Sequence, residues 1–441
     1  MAAWRALGIV VLLLAGAQVA PAQTYPLTET VKAGDCFRVR LEMSLTGEIK
    51  VARDGKAESL PLTAKATHEF PERVLAVGDR GLAEKSARVY ETAAAAITVA
   101  KDAESKSLRP ERHLIVAQRT KEQSFTYSPG GPLTRAELEL VGDHFDTLCV
   151  TGLLPGKDAA VGDTWKIDNA AAQALCHFDG LTDQSLVCKL EEVTDKVARV
   201  SVAGPANGIE LGARVKLKID ATYRFDLEAK RLTWLEWKQT DDRDQGPASP
   251  ALTATSTTTL TRKPIDRPDA LSDVALVSVP ADKVPEMLLS VEYRHPKGKF
   301  DLNHARDWQV VGEPDGRLVL RLMDRGDFVA QATITPWTPA EKGKHLSADE
   351  FKATIANTPA WEPEKELQAG EVPAGEGRWI YRVSVLGKAD GLAVLQNYYL
   401  LAGPNGDQVV VAVTLTPKKA EQLGSRDLSL VGSIELPSPK K

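Results

Sequence analysis

Cysteine is scarce in this chain: there are four in 441 residues, Cys36, Cys149, Cys176 and Cys188, all in the first half. So few thiols exclude a fold stapled by a dense disulfide framework and leave the chain to cores of its own. Cys176 and Cys188 flank the Asp179-Gly180 turn and would close a hairpin-sized loop. Such a link contributes on the order of 3 kcal/mol; buried free thiols are the alternative. Excess positive charge is missing too. A formal net charge of -5, with no basic stripe, argues against a nucleic-acid partner, which would need Lys and Arg to neutralise phosphates. Past residue 22 no apolar run approaches the roughly 20 residues of a membrane helix, so no transmembrane span is expected in a mature chain. Catalytic signatures are also lacking. There is no Gly-x-Ser-x-Gly elbow, no Ser-x-x-Lys with its partner motifs and no His-Glu-x-x-His. Ser128-Pro129-Gly130-Gly131-Pro132 is followed by no Gly-Lys-Ser or Gly-Lys-Thr and reads as a loop before a helix, not a phosphate cradle.

What is present begins with Arg5, the apolar run Ala6 to Ala17 and the small residues of Ala20-Pro21-Ala22. Residues 1–22 therefore read as a secretory signal, which places the mature protein in the periplasm or outside the cell. From Cys36, strict alternation puts Phe37, Val39, Leu41, Met43 and Leu45 on one face of a strand and Arg38, Arg40, Glu42, Ser44 and Thr46 on the other. Asp54-Gly55 signals a hairpin. Further strands are expected over Thr63 to Phe70, Ala87 to Val99 and His113 to Ala117. Thr134-Arg135-Ala136-Glu137 is a capping box, and Leu138, Val141, Phe145, Leu148 and Cys149 follow at helical spacing until Leu153-Leu154-Pro155-Gly156 stops them. The longest alternation runs from Ala213 to Phe225. Leu232 to Lys238 follows it, and Ala251 to Arg262 reads as a Thr-rich edge. Residues 23–263 thus read as a curved antiparallel sheet with one main helix. The Leu154-Pro155 and Gly162-Asp163-Thr164-Trp165 passage and the long final hairpins resemble exported curved-sheet domains, some of them similar to periplasmic lipoprotein carriers.

Proline breaks the pattern at Lys263-Pro264-Ile265-Asp266-Arg267-Pro268, so residues 264–289 read as linker and connector. In residues 290–437, Leu318, Leu320 and Leu322 alternate on one strand and Phe328, Ala330, Ala332 and Ile334 on the next. Ser347 with Glu350 forms a capping box, and Leu346 with Phe351 a hydrophobic staple. Strands are expected over Trp379 to Leu386, Leu392 to Ala402 and Gln408 to Thr416, and a closing helix through Leu423, Leu430, Val431 and Ile434. That order, entered through Tyr293, Pro296, Gly298, Phe300, Leu302 and Trp308, resembles the PsbP-like fold, an antiparallel sheet packed between helices. The resemblance implies an α+β class overall and a non-enzymatic accessory or binding module. It carries over no catalytic residue.

Three groups have metal-ligating side chains: His144, Asp146 and Cys149; Cys176, His177 and Asp179; and His295, Asp301, His304 and Asp307. The first has poor helical spacing, and the last reads as a solvated turn. No metal or other cofactor is expected. Trp234 and Trp237, three residues apart in one strand, fall on opposite faces, so one of them is a candidate for a ligand or partner surface. The chain therefore reads as an exported, non-catalytic accessory or binding protein of a bacterial envelope, with an envelope protein as partner. The alternative is a carrier of an apolar ligand or lipid in the concave N-terminal sheet; the residue pattern argues against a hydrolase. Protein recovered from an expressing bacterium should begin at Gln23, and N-terminal sequencing that reads Met1 would remove the signal assignment.

Overall fold

The structure, a computed structural model, describes residues 23–437 apart from 54–55, 79–80, 121–123, 143–144 and 376. The signal segment, the Asp54-Gly55 turn, His144 and the tail beyond Pro437 lie outside the described residues. The described chain is mostly antiparallel strand with short helices.

The first half is built on one large sheet. Its strands are β1 (Cys36–Arg53), β2 (Lys56–Val77), β3 (Ala83–Val89), β4 (Thr92–Val99), β5 (Asp102–Ser107), β6 (Leu114–Arg119) and β7 (Ser124–Tyr127). After two helices, α1 (Arg135–Gly142) and α2 (Asn169–Leu175), come β8 (Val187–Thr194), β9 (Val197–Glu210), β10 (Ala213–Asp226), β11 (Arg231–Arg243) and β12 (Ala251–Pro264). From β8 to β12 each strand pairs with the next; β12 then pairs with β1, and β1 through β2, β3 and β6 leads to β7. The Thr-rich β12 is therefore an inner strand rather than the expected edge, because β1 pairs along its whole length, from Ala251↔Lys50 to Pro264↔Phe37. Threonine's β-branch suits an inner strand as well as an outer one.

Two other expectations change. The stretch Ala87 to Val99 is two strands, because the chain turns at Tyr90-Glu91: β3 pairs with β6, while β4 folds back over β2. The helix expected through Cys149 ends at Gly142, and Thr147–Leu153 is a separate 3-10 turn whose second amide, Leu148 N–H, donates to the Asp146 carboxylate at 2.9 Å. The Thr134 and Glu137 box is present as read.

The apolar alternations face inward over one continuous core. Phe37, Val39 and Leu41 of β1, Ile219, Tyr223 and Phe225 of β10, and Leu235 and Trp237 of β11 are buried there. The 3-10 turn closes this end through one atom: the Leu153 carbonyl accepts from Tyr223 Oη (3.1 Å), Trp165 Nε1 (2.9 Å) and Cys188 Sγ (3.6 Å). Leu27 and Val31, ahead of β1, complete the cover.

Residues 265–290 run along the other side of the sheet, where Leu271 and Leu276 pack on Ala87 and Val284 packs on Val116 and Tyr127. Arg73 binds this connector by donating to the Leu271 carbonyl at 2.8 Å and pairing with Asp273 at 2.6 Å. The second half centres on a seven-stranded antiparallel sheet. Helix α3 (Ala348–Ala356) packs Phe351 and Ile355 against one of its faces, and α4 (Arg426–Gly432) packs Leu430 and Val431 against the other. The strand Trp361–Glu371, charged and bearing Pro363, lies at the sheet's edge and had no counterpart in the sequence reading. Such an edge is where charge and proline are tolerated.

The Ser347 box forms: its Oγ accepts from Glu350 N–H at 3.3 Å, and the Glu350 carboxylate accepts from Ser347 N–H at 3.0 Å. Ser347→Ala should cost about 1 kcal/mol. Phe351→Ala, which empties a buried site, should cost about 3 to 5 kcal/mol. Chemical denaturation of the full chain measures both, and equal losses would contradict this packing.

Candidate functional site

The helical cover reaches only part of the concave face. Beyond it lies a cavity of about 390 Å³, within the usual size of a small-molecule site. Its floor is strand: Met43 and Leu45 of β1, Ala66 of β2, Ile97 of β4 and Leu217 of β10, with Leu140 of α1 and Leu175 of α2 at its sides. Small residues make the room, since Met43 pairs with Ala66 and Ala66 with Ala95. Alanine at neighbouring positions leaves space that larger residues would fill.

One wall is polar. Along β11 the inward positions change from Leu235 and Trp237 to Gln239, Asp241 and Arg243, and the last three line the cavity. They form a ladder: Trp237 Nε1 donates to Gln239 Oε1 at 2.9 Å, and Gln239 Nε2 donates to the Asp241 carboxylate at 3.0 and 3.3 Å. Asp241 is only 9% exposed. Burial pushes its carboxyl up to about 6, against the pull of the Gln239 amide; Glu210 pushes it further and Arg243 draws it back. Arg243 pairs with Glu210 at 3.2 Å, and Lys106 with Glu139 of α1 at 2.7 Å. Among the described residues no cation stands within ion-pair distance of Asp241.

The residues singled out from sequence are scattered. Trp237 is 2% exposed, in edge-to-face contact with Phe145 at 5.8 Å, so it belongs to the core. Trp234 does lie on the opposite face, where the Arg224 guanidinium covers its ring at 4.6 Å. Trp234 is half-buried there. The proposed Cys176 to Cys188 link is absent: both are buried free thiols, Cys176 at the C-terminal end of α2 and Cys188 on β8 against the Leu153 carbonyl. Burial pushes both thiols up to about 12. Cys176 nevertheless lines the cavity, near enough for Asp241 to raise its thiol further.

The expected ligand groups do not assemble. Asp146 caps the 3-10 turn, and Asp179 accepts from Leu211 N–H at 2.7 Å. His295 and His304 are buried, which corrects the reading of a solvated turn: the His295 ring packs against Phe300 at 5.0 Å and accepts from Lys297 N–H at 3.1 Å, and His304 Nδ1 lies 2.9 Å from the Ala305 carbonyl. His304 and Asp307 do line a second, polar groove of about 670 Å³, where Asp307 pairs with Arg426 at 3.2 Å. Among the described residues no group of three or more His, Cys, Asp or Glu is placed to hold a metal ion, and no helix is long and apolar enough to cross a membrane. Asp241 was missed. Period-two counting from Leu235 would have placed it inward.

Comparison with known proteins finds no matching family model and no matching curated protein. Solved structures give partial likenesses. A protein of Bacteroides thetaiotaomicron is 11% identical with a TM-score of 0.26, over 34% of this chain and 49% of that one. The cyanobacterial PsbP of Synechocystis is 10% identical with a TM-score of 0.26, over 36% of this chain and 99% of that one. Lipovitellin, solved for its lipid–protein interactions, is 7% identical with a TM-score of 0.30, over 55% of this chain and 26% of that one. The chain thus spans less than half of the first and third of these proteins and bears a distant PsbP-like resemblance to the second.

Because Asp241 holds its proton more tightly when folded, its contribution to stability is full in acid and is lost as pH rises through about 6. Between pH 4 and 7 the protein should fall behind Asp241→Asn by up to about 3 kcal/mol. Denaturation of both at each pH measures this; parallel behaviour would mean that the carboxyl is solvated.

Proposed function

We propose that this chain is a non-catalytic binding protein that carries an apolar ligand in the concave face of its N-terminal sheet. The observation that supports it is the cavity itself: a half-filled concave face with an apolar floor of Met43, Leu45, Ile97 and Leu217 and one polar wall. That division suits a molecule with an apolar body and a polar end. The cavity's thiol, Cys176, is buried and pushed up to about 12, so it stays protonated at neutral pH and is a poor nucleophile there. An exported envelope carrier agrees with the signal-like first 22 residues.

Organic extraction of the full-length protein purified from its host, followed by mass spectrometry, should recover an apolar compound at about one per chain. Ala66→Trp, which places an indole in the cavity, should abolish recovery while the protein stays folded. A wild type that yields no such compound and takes up no added long-chain alcohol overturns the reading.

A further inference from the structure

The polar wall carries an unbalanced charge. Among the described residues three carboxylates line the cavity, Glu139, Glu210 and Asp241; Glu139 pairs with Lys106 and Glu210 with Arg243, and Asp241 has only the neutral Gln239 amide. Lys65 and His177 also border the cavity, but both side chains are exposed to solvent, Lys65 on a strand whose inward neighbours are Ala64 and Ala66. The Arg243 charge is met by Glu210, while its Nε–H is buried and finds no acceptor among the described residues. The wall therefore presents a carboxylate wanting a cation and, two residues along the same face, a donor wanting an acceptor.

We infer that the ligand is a cationic amphiphile, a long-chain amine whose ammonium group is held by the Asp241 carboxylate while its chain lies over the floor of Met43, Ala66 and Leu217. This rests on the carrier reading above. A buried carboxylate is costly unless it is paired and hydrogen-bonded, and an ammonium donor supplies both at once. A ligand carboxylate would face Asp241 and Glu210 and meet repulsion in a site of low polarity. An oxygen beside the amine, as in an amino alcohol, would take the free Arg243 Nε–H. The ladder from Trp237 through Gln239 fixes the carboxylate's orientation before the ligand arrives, so little side-chain freedom is lost on binding.

The test is calorimetric titration of the lipid-stripped full chain, and of Asp241→Asn, with dodecylamine, dodecanol and dodecanoate at pH 7.5, each below its micelle concentration. Asn keeps the shape and removes the charge, and it relieves a buried ionised group, so the variant should fold. Dodecylammonium should bind the wild type at least about tenfold more tightly than dodecanoate, the worth of one charge-assisted hydrogen bond. Asp241→Asn should erase that preference. If dodecanol binds but dodecanoate matches or exceeds the amine, or if the preference survives in Asp241→Asn, the head-group inference is wrong and the carrier stands. If none of the three binds, the carrier reading falls, and the inference with it.

Discussion

A wide antiparallel sheet twists, and its twist curls one face into a hollow that must be covered or left open. Here the ten strands from β8 round to β7 stand in line, and the inward residues of β10 are apolar from Val215 to Phe225. The available cover is short: a 3-10 turn, two helices of eight and seven residues and the segment ahead of β1. Everything else in this half follows from the mismatch. Where the cover reaches, Phe37, Phe70, Tyr90, Tyr223 and Phe225 form a dense core; where it stops, Ala64, Ala66 and Ala95 stand among the floor residues, and a cavity remains.

Charge is handled differently at the two ends. At the covered end Glu72 is buried against Arg88 at 2.8 Å, with Ser86 Oγ donating to the same carboxylate and Arg88 reaching on to Thr147 at 2.7 Å. Burial alone would push Glu72 up, but the Arg88 and Arg262 charges outweigh it and hold the carboxyl below its usual range. Glu29 is likewise buried beside Arg262 and accepts from Leu232 N–H at 2.9 Å, which ties the leading segment down over the core. Buried pairs of this kind are weak evidence for net stability, yet breaking one strands a charge at a cost of about 3 to 5 kcal/mol. Asp241, at the open end, answers the same cost by holding its proton more tightly. The contrast separates carboxylates that clamp the fold from one that the fold leaves available.

Much of the fold was legible because alternation and capping are local. The strand from Cys36, the long strand from Ala213 and the start of α3 at Ser347 stand where the residues placed them. Pairing was not legible, since nothing within Ala251 to Arg262 says that a strand 200 residues earlier in the chain lies beside it. Nor was the charged strand Trp361–Glu371, whose register slips twice against its neighbour. The site was hidden for a related reason. Lys238, Thr240 and Asp242 alternate with Gln239, Asp241 and Arg243, so the end of β11 looks polar on both sides and gives no sign of an interior. Only the neighbours across the hollow, Leu217 and Met43, make one of those faces the inside of a cavity.

Helix α1 belongs to both halves of the molecule. Just before its first residue, Leu133 and Thr134 pair in parallel with Val291 and Glu292 of the second half. Arg109 joins Glu137 of α1 to Glu292 at 2.7 and 2.8 Å, and Arg135 donates to the Val310 carbonyl. One turn further on, Glu139 and Leu140 form part of the cavity's side. The helix is eight residues long, about 12 Å at the usual rise, and too short to bend independently at its two ends. The second half therefore meets the cavity on its α1 side, beside the Lys106 and Glu139 pair, whereas the opposite wall, carrying Asp241 on β11, is built within the first half alone, between β10 and β12.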